Sequence, residues 1–599
     1  MPREISVLET RHRLIVGLDF GTTFTGISFA MTTESLMVHP IDKWPAMDGS
    51  SITARKTPTQ IAYNQGLTSR PWGYQVKHGC KNSYAWMKYH LDSAAAPSEF
   101  DDPLLAEEMQ QGIFHISGVR TAEQITVDYL TEVLRFTVEH IGQELGENIL
   151  RVTSISFWLT RPALWGFQAQ QKLKKAVETA AKEAKFPGTR DLDEFGLIAE
   201  PEAAAFAIIV DGDDGIDGEG DDIDDGIKKG TVVMVCDCGG GTVDITVHLV
   251  KEIFPVVKLD EVVPSQGAKC GAAYIDRLFD DFMKRKFGSA YENVELEERS
   301  PNSTFKRDFE HNKHRFGTDE PLVNMKLRMP DVDPSNKMLA ESYSSRDGEV
   351  ILTEAEMKEI FDPAVEKILG LLTLQQQAVS EKRIKHMDLI LVGGLGGSPY
   401  LQSLVATWCL KRRIRLRNVK SEYSWGAVAQ GAVLHGLGRA DVEKRLARFH
   451  IGVVCALPYD PELDSPDEAQ YNYLVDEDMV DNCIAWTCRA GTEITATPTG
   501  DSFFRELLKG ESGFSIDIVS CAAEDPPRKK NSKEIEVVGK LNVRLRKVDV
   551  KKYEIQTRWG RKIKFNFRVE QIFGNKQGTL LIRVTADGMA LGKQEINFQ

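Results

Sequence analysis

Thr231 to Val250 reads TVVMVCDCGGGTVDITVHLV, and this stretch decides the fold. Val232 to Val235 is an apolar, β-branched run with the length of a buried strand, and it delivers a carboxylate, Asp237, to its end. Ile245, Val247 and Leu249 then alternate with Thr246 and His248, as in a half-buried strand. Gly239, Gly240 and Gly241 join the two runs, followed by Thr242 and Asp244. A turn without Cβ atoms reaches positive φ and brings bare N–H groups close to a ligand. One acid before such a turn and one after it suit a divalent cation clamped against a phosphate. Taken alone, the stretch fits a plain glycine-rich hairpin equally well.

The pattern occurs twice. Leu14 to Ala30 reads LIVGLDFGTTFTGISFA, with Asp19 at the end of an apolar run, then Gly21, Thr22 and Thr23, then an alternating run through Ile27 and Phe29. Asp19 answers Asp237 and Gly21 answers Gly239. Two acid-ended hairpins so far apart predict two related halves facing one site. A third glycine turn follows the buried run Met387 to Val392, with Gly393, Gly394, Gly396 and Gly397 set around Leu395. Ser398 then caps a helix that starts at Pro399.

Length and composition set the frame. A chain of 599 residues is too long for one core, and its 42% apolar content is ordinary for a globular protein. No apolar run approaches a membrane span, and the polar N-terminus lacks a secretory signal pattern. The nine cysteines lack paired metal-ligand spacing, so a reduced compartment, cytoplasmic or nuclear, is expected, with Cys236 and Cys238 as small buried thiols. Half of the net charge of −14 lies in residues 211–230, whose nine acids and two lysines among glycines predict a flexible surface insert. Arg528 to Arg568 leans the other way, with fifteen basic residues against four acids. There Val543, Arg544, Leu545 and Arg546 alternate as on the wet face of a strand, so nucleic acid is not an expected partner.

Between the hairpins, Gln124 to Ile141 and Phe167 to Ala184 have helical texture, and Val152 to Leu159 reads as a strand. Leu197 to Ala199 carries Glu200 to a strand end, and Pro201 restarts the chain as a helix. Helices are also expected over Tyr274 to Phe287, Phe305 to Phe316 and Gly426 to Leu437. Beyond Arg439 short alternating segments replace helical texture, which marks a β-rich second domain.

The order DFGTT, then CDCGGGTVD, then LVGGLGGSPY is similar to that of the actin-like (ribonuclease H-like) ATPases, and within them the chain resembles the 70-kDa heat-shock chaperone family. The resemblance is close over residues 13–437 and weak over 450–599. It implies an α/β ATPase domain of two duplicated half-domains at 13–437, a linker at 438–449, and a β-rich substrate-binding-like domain at 450–599. It implies ATP and Mg²⁺ as cofactors, with Asp19 and Asp237 holding the metal through water. It implies catalytic roles for Lys88, Glu200, Asp237 and Thr242. Nucleotide contacts are implied for Asp19, Gly21, Thr22, Thr23, Gly239, Gly240, Gly241, Thr242, Gly271, Glu310, Lys313, His314, Gly393, Gly394 and Gly396. Polypeptide clients and co-chaperones are the implied partners.

The departures are specific. His314 stands where the family keeps an arginine, and Gly397 falls at the place of a second arginine. Both sandwich the adenine in the family, so weaker or less selective nucleotide binding is expected. Trp425-Gly426 replaces an acidic pair, the acidic-leucine linker is missing, and no helical lid is expected before Gln599. These traits resemble the lidless, twelve-type branch of the family. Two other readings fit the same loops: a sugar-type small-molecule kinase, and a nucleotide-binding scaffold with little turnover.

Overall fold

The computed structural model describes residues 12–33, 37–63, 70–80, 82–92, 98–111, 116, 120–186, 195–211, 226–333, 339, 341–417, 419, 421–494, 497–546, 548–574 and 579–597. The core of the acidic insert, 212–225, lies outside the described residues. The chain is a mixed α/β protein that divides into two compact units, 1–259 with 265–441, and 260–264 with 442–599.

The first unit contains two sheets with one strand order. In the first sheet Phe195–Ala199, Ser154–Arg161 and Arg13–Phe20 run parallel, and Phe24–Met31 pairs antiparallel to the last of them. In the second, Arg415–Arg417, Asp388–Val392 and Val232–Cys238 run parallel, and Val243–Glu252 returns antiparallel. Each hairpin strand that bears an aspartate is therefore central, flanked on both sides and buried along nearly its whole length. The continuous apolar runs have this cause: strands covered on both faces have no wet side to mark with polar residues.

Helices follow the equivalent strands. Phe167–Glu183 follows Ser154–Arg161, and Pro399–Arg412 follows Asp388–Val392. Glu200–Asp211 follows Phe195–Ala199, and Ser421–Gly436 follows Arg415–Arg417. The last two helices pack so closely that a Cβ on Gly431 would lie 1.7 Å from the Ala203 carbonyl oxygen. The small-residue texture of both segments serves this contact.

Helix ends sit where capping chemistry puts them. Thr121 and Gln124 form a capping box ahead of Ala122–Leu145, and Ser398 accepts from the Leu401 amide ahead of Pro399. The longest helix among the described residues, Glu354–Glu381, is not among the predicted ones, although Thr353 and Glu356 form a capping box at its start. Pro363 interrupts its pattern, and tertiary packing of Met357, Ile360, Phe361, Val365 and Ile368 carries the helix through it. Among the described residues, no helix is long and apolar enough to cross a membrane.

The second unit holds two antiparallel five-stranded sheets. One is ordered Gln470–Asn472, Glu477–Cys488, His450–Pro458, Gly513–Cys521, Glu536–Arg544; the other is built around Gly560–Gly574. Phe514 of the first meets Phe565 and Phe567 of the second, with ring centroids 6.2 and 5.4 Å apart, so the inner faces share one core. Val543 and Leu545 are buried while Arg544 and Arg546 are exposed, which bears out the solvated-face reading of the basic segment. The stretch 438–449, expected as a linker, contains a strand, Ala440–Leu446, whose Arg445 and Leu446 pair with Ile494 and Glu493. Its inward residues Ala440, Val442 and Leu446 supply the alternation that a strand needs. Among the described residues of this unit the only helical turns are short 3-10 segments such as Pro466–Glu468 and Val550–Tyr553.

Candidate active site

The two hairpin turns of the first unit close on each other. Each is fastened by the same bond, the Gly21 amide donating to the Phe24 carbonyl at 3.1 Å and the Gly239 amide to that of Thr242 at 3.0 Å. Those two amides are thus used within the turns. The amides of Thr22, Thr23, Gly240 and Gly241 have no acceptor among the described residues. The turns touch: a Cβ on Gly240 would lie 2.2 Å from Thr23 Oγ1, and one on Gly241 2.3 Å from Thr22 Oγ1. Gly271 seats the second turn from behind, its amide donating to the Gly241 carbonyl at 3.1 Å. Tyr89 donates to the same oxygen at 2.8 Å.

One cavity runs from these turns to the glycine loop at Gly393. Asp19, Gly21, Thr22, Thr23, Lys88, Glu200, Asp237, Gly239, Gly240, Gly241 and Thr242 line it, and so do Glu310, Lys313, His314, Gly393 and Gly394. Of the residues expected at the site, Gly271 and Gly396 stand behind the wall rather than in it. Gly393 must be glycine. Its φ is +82°, and a Cβ there would sit 2.4 Å from both Asp237 Oδ1 and the Cys238 carbonyl.

At the carboxylate end, Lys88 belongs to a 3-10 turn, Met87–Leu91, and is buried rather than solvated. Its Nζ donates to Glu200 Oε1 at 2.6 Å and lies 5.4 Å from the Trp165 ring centre. Burial pushes the Glu200 carboxyl up to about 7; Lys88 opposes this, while Asp19 and Asp244 add to it. Asp237 is buried, and among the described residues its carboxylate has neither a hydrogen-bond donor nor an ion-pair partner. Burial, then Glu200, raise its pKa well above the ordinary value. Such an orphaned carboxylate facing a cavity fits a hydrated divalent cation, which neutralises charge through its waters. Asp19 is already engaged, accepting from Thr160 Oγ1 at 3.3 Å and from Lys56 Nζ at 2.6 Å.

Lys56 was invisible as a site residue in the sequence. Burial alone would depress its pKa, but Asp19, with Asp237 and Glu200 beyond it, outweighs burial and holds the ammonium above the ordinary lysine value. Asp244, by contrast, is spent on structure: its Oδ1 accepts from the Ala163 amide at 2.6 Å.

The other end of the cavity is built on the helix Thr304–Arg315. Lys313 bridges Asp276 Oδ1 at 2.9 Å and Glu310 Oε2 at 2.5 Å. His314 Nε2 lies 3.3 Å from Glu310 Oε1, and the His314 ring centre is 6.4 Å from that of Trp425. Trp425 packs edge-on against Phe24, and both line the cavity. Trp425 stands out in the sequence only as the replacement of an acidic residue, and its meeting with Phe24 depends on two segments about four hundred residues apart. Cys236 and Cys238 are free buried thiols with sulfurs 3.5 Å apart, as their small apolar character suggests.

Similarity to known proteins follows the same lines. Heat shock 70 kDa protein 12B of Homo sapiens is 23% identical over 600 residues, covering 86% of this chain and 81% of its own length. Heat shock 70 kDa protein 12A of Mus musculus is 23% identical, covering 74% of this chain and 72% of its own. The chaperone protein DnaK of Thermoplasma acidophilum is 22% identical over 70% of this chain and 58% of its own length. Over most of its length the chain is thus similar to 70-kDa heat-shock proteins. A model of a domain of unknown function (DUF8340) also matches the chain, over residues 228–403. That span begins just before the second hairpin and ends in the helix after the Gly393 loop.

Proposed function

We propose that the first unit is an actin-like ATPase of two duplicated half-domains, and that its nucleotide state governs polypeptide binding by the β-rich unit. The observation that carries this reading is the meeting of two equivalent hairpins, each ending in a buried aspartate, beside a buried lysine–carboxylate pair in one cavity. The names of the relatives, heat-shock proteins and a chaperone, support it.

The free amides of Thr22, Thr23, Gly240 and Gly241 face the phosphates of ATP, and the Gly393–Gly394 loop with Glu310, Lys313 and His314 faces its nucleoside. Asp237 and Asp19 would hold Mg²⁺ through its waters, and the ion would supply charge neutralisation at the phosphates. Lys88 sets positive charge against the transferring phosphoryl group, and Glu200 orients the attacking water and takes its proton. A carboxyl titrating near 7 is matched to that task at neutral pH. Thr242 holds the turn that carries these donors through its carbonyl.

The domain division proposed is 13–437, 438–449 and 450–599. Strand edges of the β-rich unit offer extended apolar segments of clients a place to add. Purified protein is tested for ATP binding and phosphate release with and without a panel of sugars. Release that depends on a sugar would instead support a small-molecule kinase, and tight binding without release a scaffold.

A further inference from the structure

We propose that Lys56 is a tethered cation of the phosphate site, holding one side of Asp19 where a free carboxylate would need a dissolved cation, so that a nucleoside diphosphate binds with reduced dependence on Mg²⁺. The inference rests on the nucleotide reading of the cavity and goes beyond it.

Four observations place the ammonium. The Lys56 Nζ donates to Asp19 Oδ2 at 2.6 Å, and among the described residues this is its only acceptor. An ammonium has three N–H donors, so two remain, and Lys56 lines the cavity beside Thr22 and Thr23. The stem is guided: a Cβ on Gly26 would meet Lys56 Cγ at 3.2 Å, Cε at 3.5 Å and Cδ at 3.6 Å, so the glycine leaves the groove along which the stem lies. The backbone is pinned too, by Tyr74 donating to the Lys56 carbonyl at 3.2 Å and by Thr57 pairing with Thr25 in the sheet.

Charge pairing at this end of the cavity points the same way. Lys88 is matched to Glu200 and Lys56 to Asp19, which leaves Asp237 as the carboxylate without a cation. Both Asp19 oxygens are taken, by Lys56 and by Thr160, so Asp19 meets a phosphate as half of a neutral pair. The polyphosphate then approaches one uncompensated carboxylate rather than two, and finds ammonium donors already in place.

Calorimetric titration with ADP and with adenosine, each in excess Mg²⁺ and in EDTA, tests this on the full chain. Wild-type affinity for ADP should fall no more than about tenfold in EDTA, whereas Lys56→Met should lose about a further tenfold or more there and recover partly in Mg²⁺. Lys56→Arg, which keeps the charge, should restore most of the loss, and adenosine affinity should be the same in all three proteins. Equal ADP affinities of wild type and Lys56→Met in EDTA overturn the proposal, as does a wild type that loses ADP wholly without Mg²⁺. Retained adenosine binding in those cases leaves the nucleotide reading standing. A wild type that binds neither ligand under either condition ends both.

Discussion

Lys88→Met reaches the centre of the site. The substitution keeps side-chain length and removes the charge, stripping Glu200 of the ammonium 2.6 Å away while Asp19 and Asp244 continue to repel it. Removing one partner of a buried ion pair costs about 3–5 kcal/mol, and the lower end applies because Glu200 relieves part of it by taking up a proton. Its carboxyl already titrates at about 7 with Lys88 present, and without Lys88 it moves higher. The sign follows from linkage. A carboxyl raised in the folded state binds its proton there but not in the unfolded chain, so stability is lost as pH rises from the ordinary carboxylate range through the raised value. The cost of Lys88→Met is therefore large near pH ~8 and small near pH ~5, where Glu200 is protonated in either protein. A unit of this size has an unfolding entropy on the order of 0.9 kcal/mol/K, so about 3 kcal/mol lowers Tm by roughly 3 °C at the higher pH. Calorimetry of the full chain at both pH values reads this directly. The double variant Lys88→Met/Glu200→Gln should recover most of the loss, since neither charge remains buried, and neither variant should release phosphate. An equal loss of Tm at both pH values, or a double variant no more stable than the single one, would refute the ion-pair argument.

The twin aspartates should separate in stability while agreeing in activity. Asp237→Asn removes an unpaired buried charge and should leave the ligand-free Tm unchanged or higher, whereas Asp19→Asn breaks the contact with Lys56 and should lower it; both should abolish Mg²⁺-dependent phosphate release. A Tm that falls equally in both would show that Asp237 has a partner. Gly393→Ala places a Cβ on Asp237 and on the Cys238 carbonyl at a positive φ, and should cost about 2–3 kcal/mol together with most nucleotide affinity; near wild-type melting would mean the loop opens freely. The rate of phosphate release should rise with pH and level off above about 7, the value to which burial lifts Glu200. Glu200→Gln should leave a low, pH-independent rate, and an unchanged profile in that variant would assign the base elsewhere.

The sequence by itself determined what depends on neighbours along the chain. Apolar runs, glycine turns and the aspartates at strand ends are local, and the repetition of DFGTT as CDCGGGT announced two matching hairpins. The caps at Thr121 and Ser398 and the restart at Pro201 are equally local, so most helix starts fell within a few residues of their places. Tertiary structure alone brought Lys56, Phe24 and Trp425 to the cavity. Lys56 and Asp19 are 37 residues apart, and nothing around Lys56 distinguishes it from a surface lysine until the Thr57–Pro58 strand pairs with the first hairpin. Phe24 and Trp425 meet only because the Ser421–Gly436 helix packs against the first sheet. The same holds for the charges. Whether a carboxylate is paired, like Glu200, spent on a backbone amide, like Asp244, or left bare, like Asp237, depends on groups brought from distant segments and on the water that folding removes. Local chemistry sets the conformation of a segment, while burial and long-range contact set the ionisation and reach of its side chains.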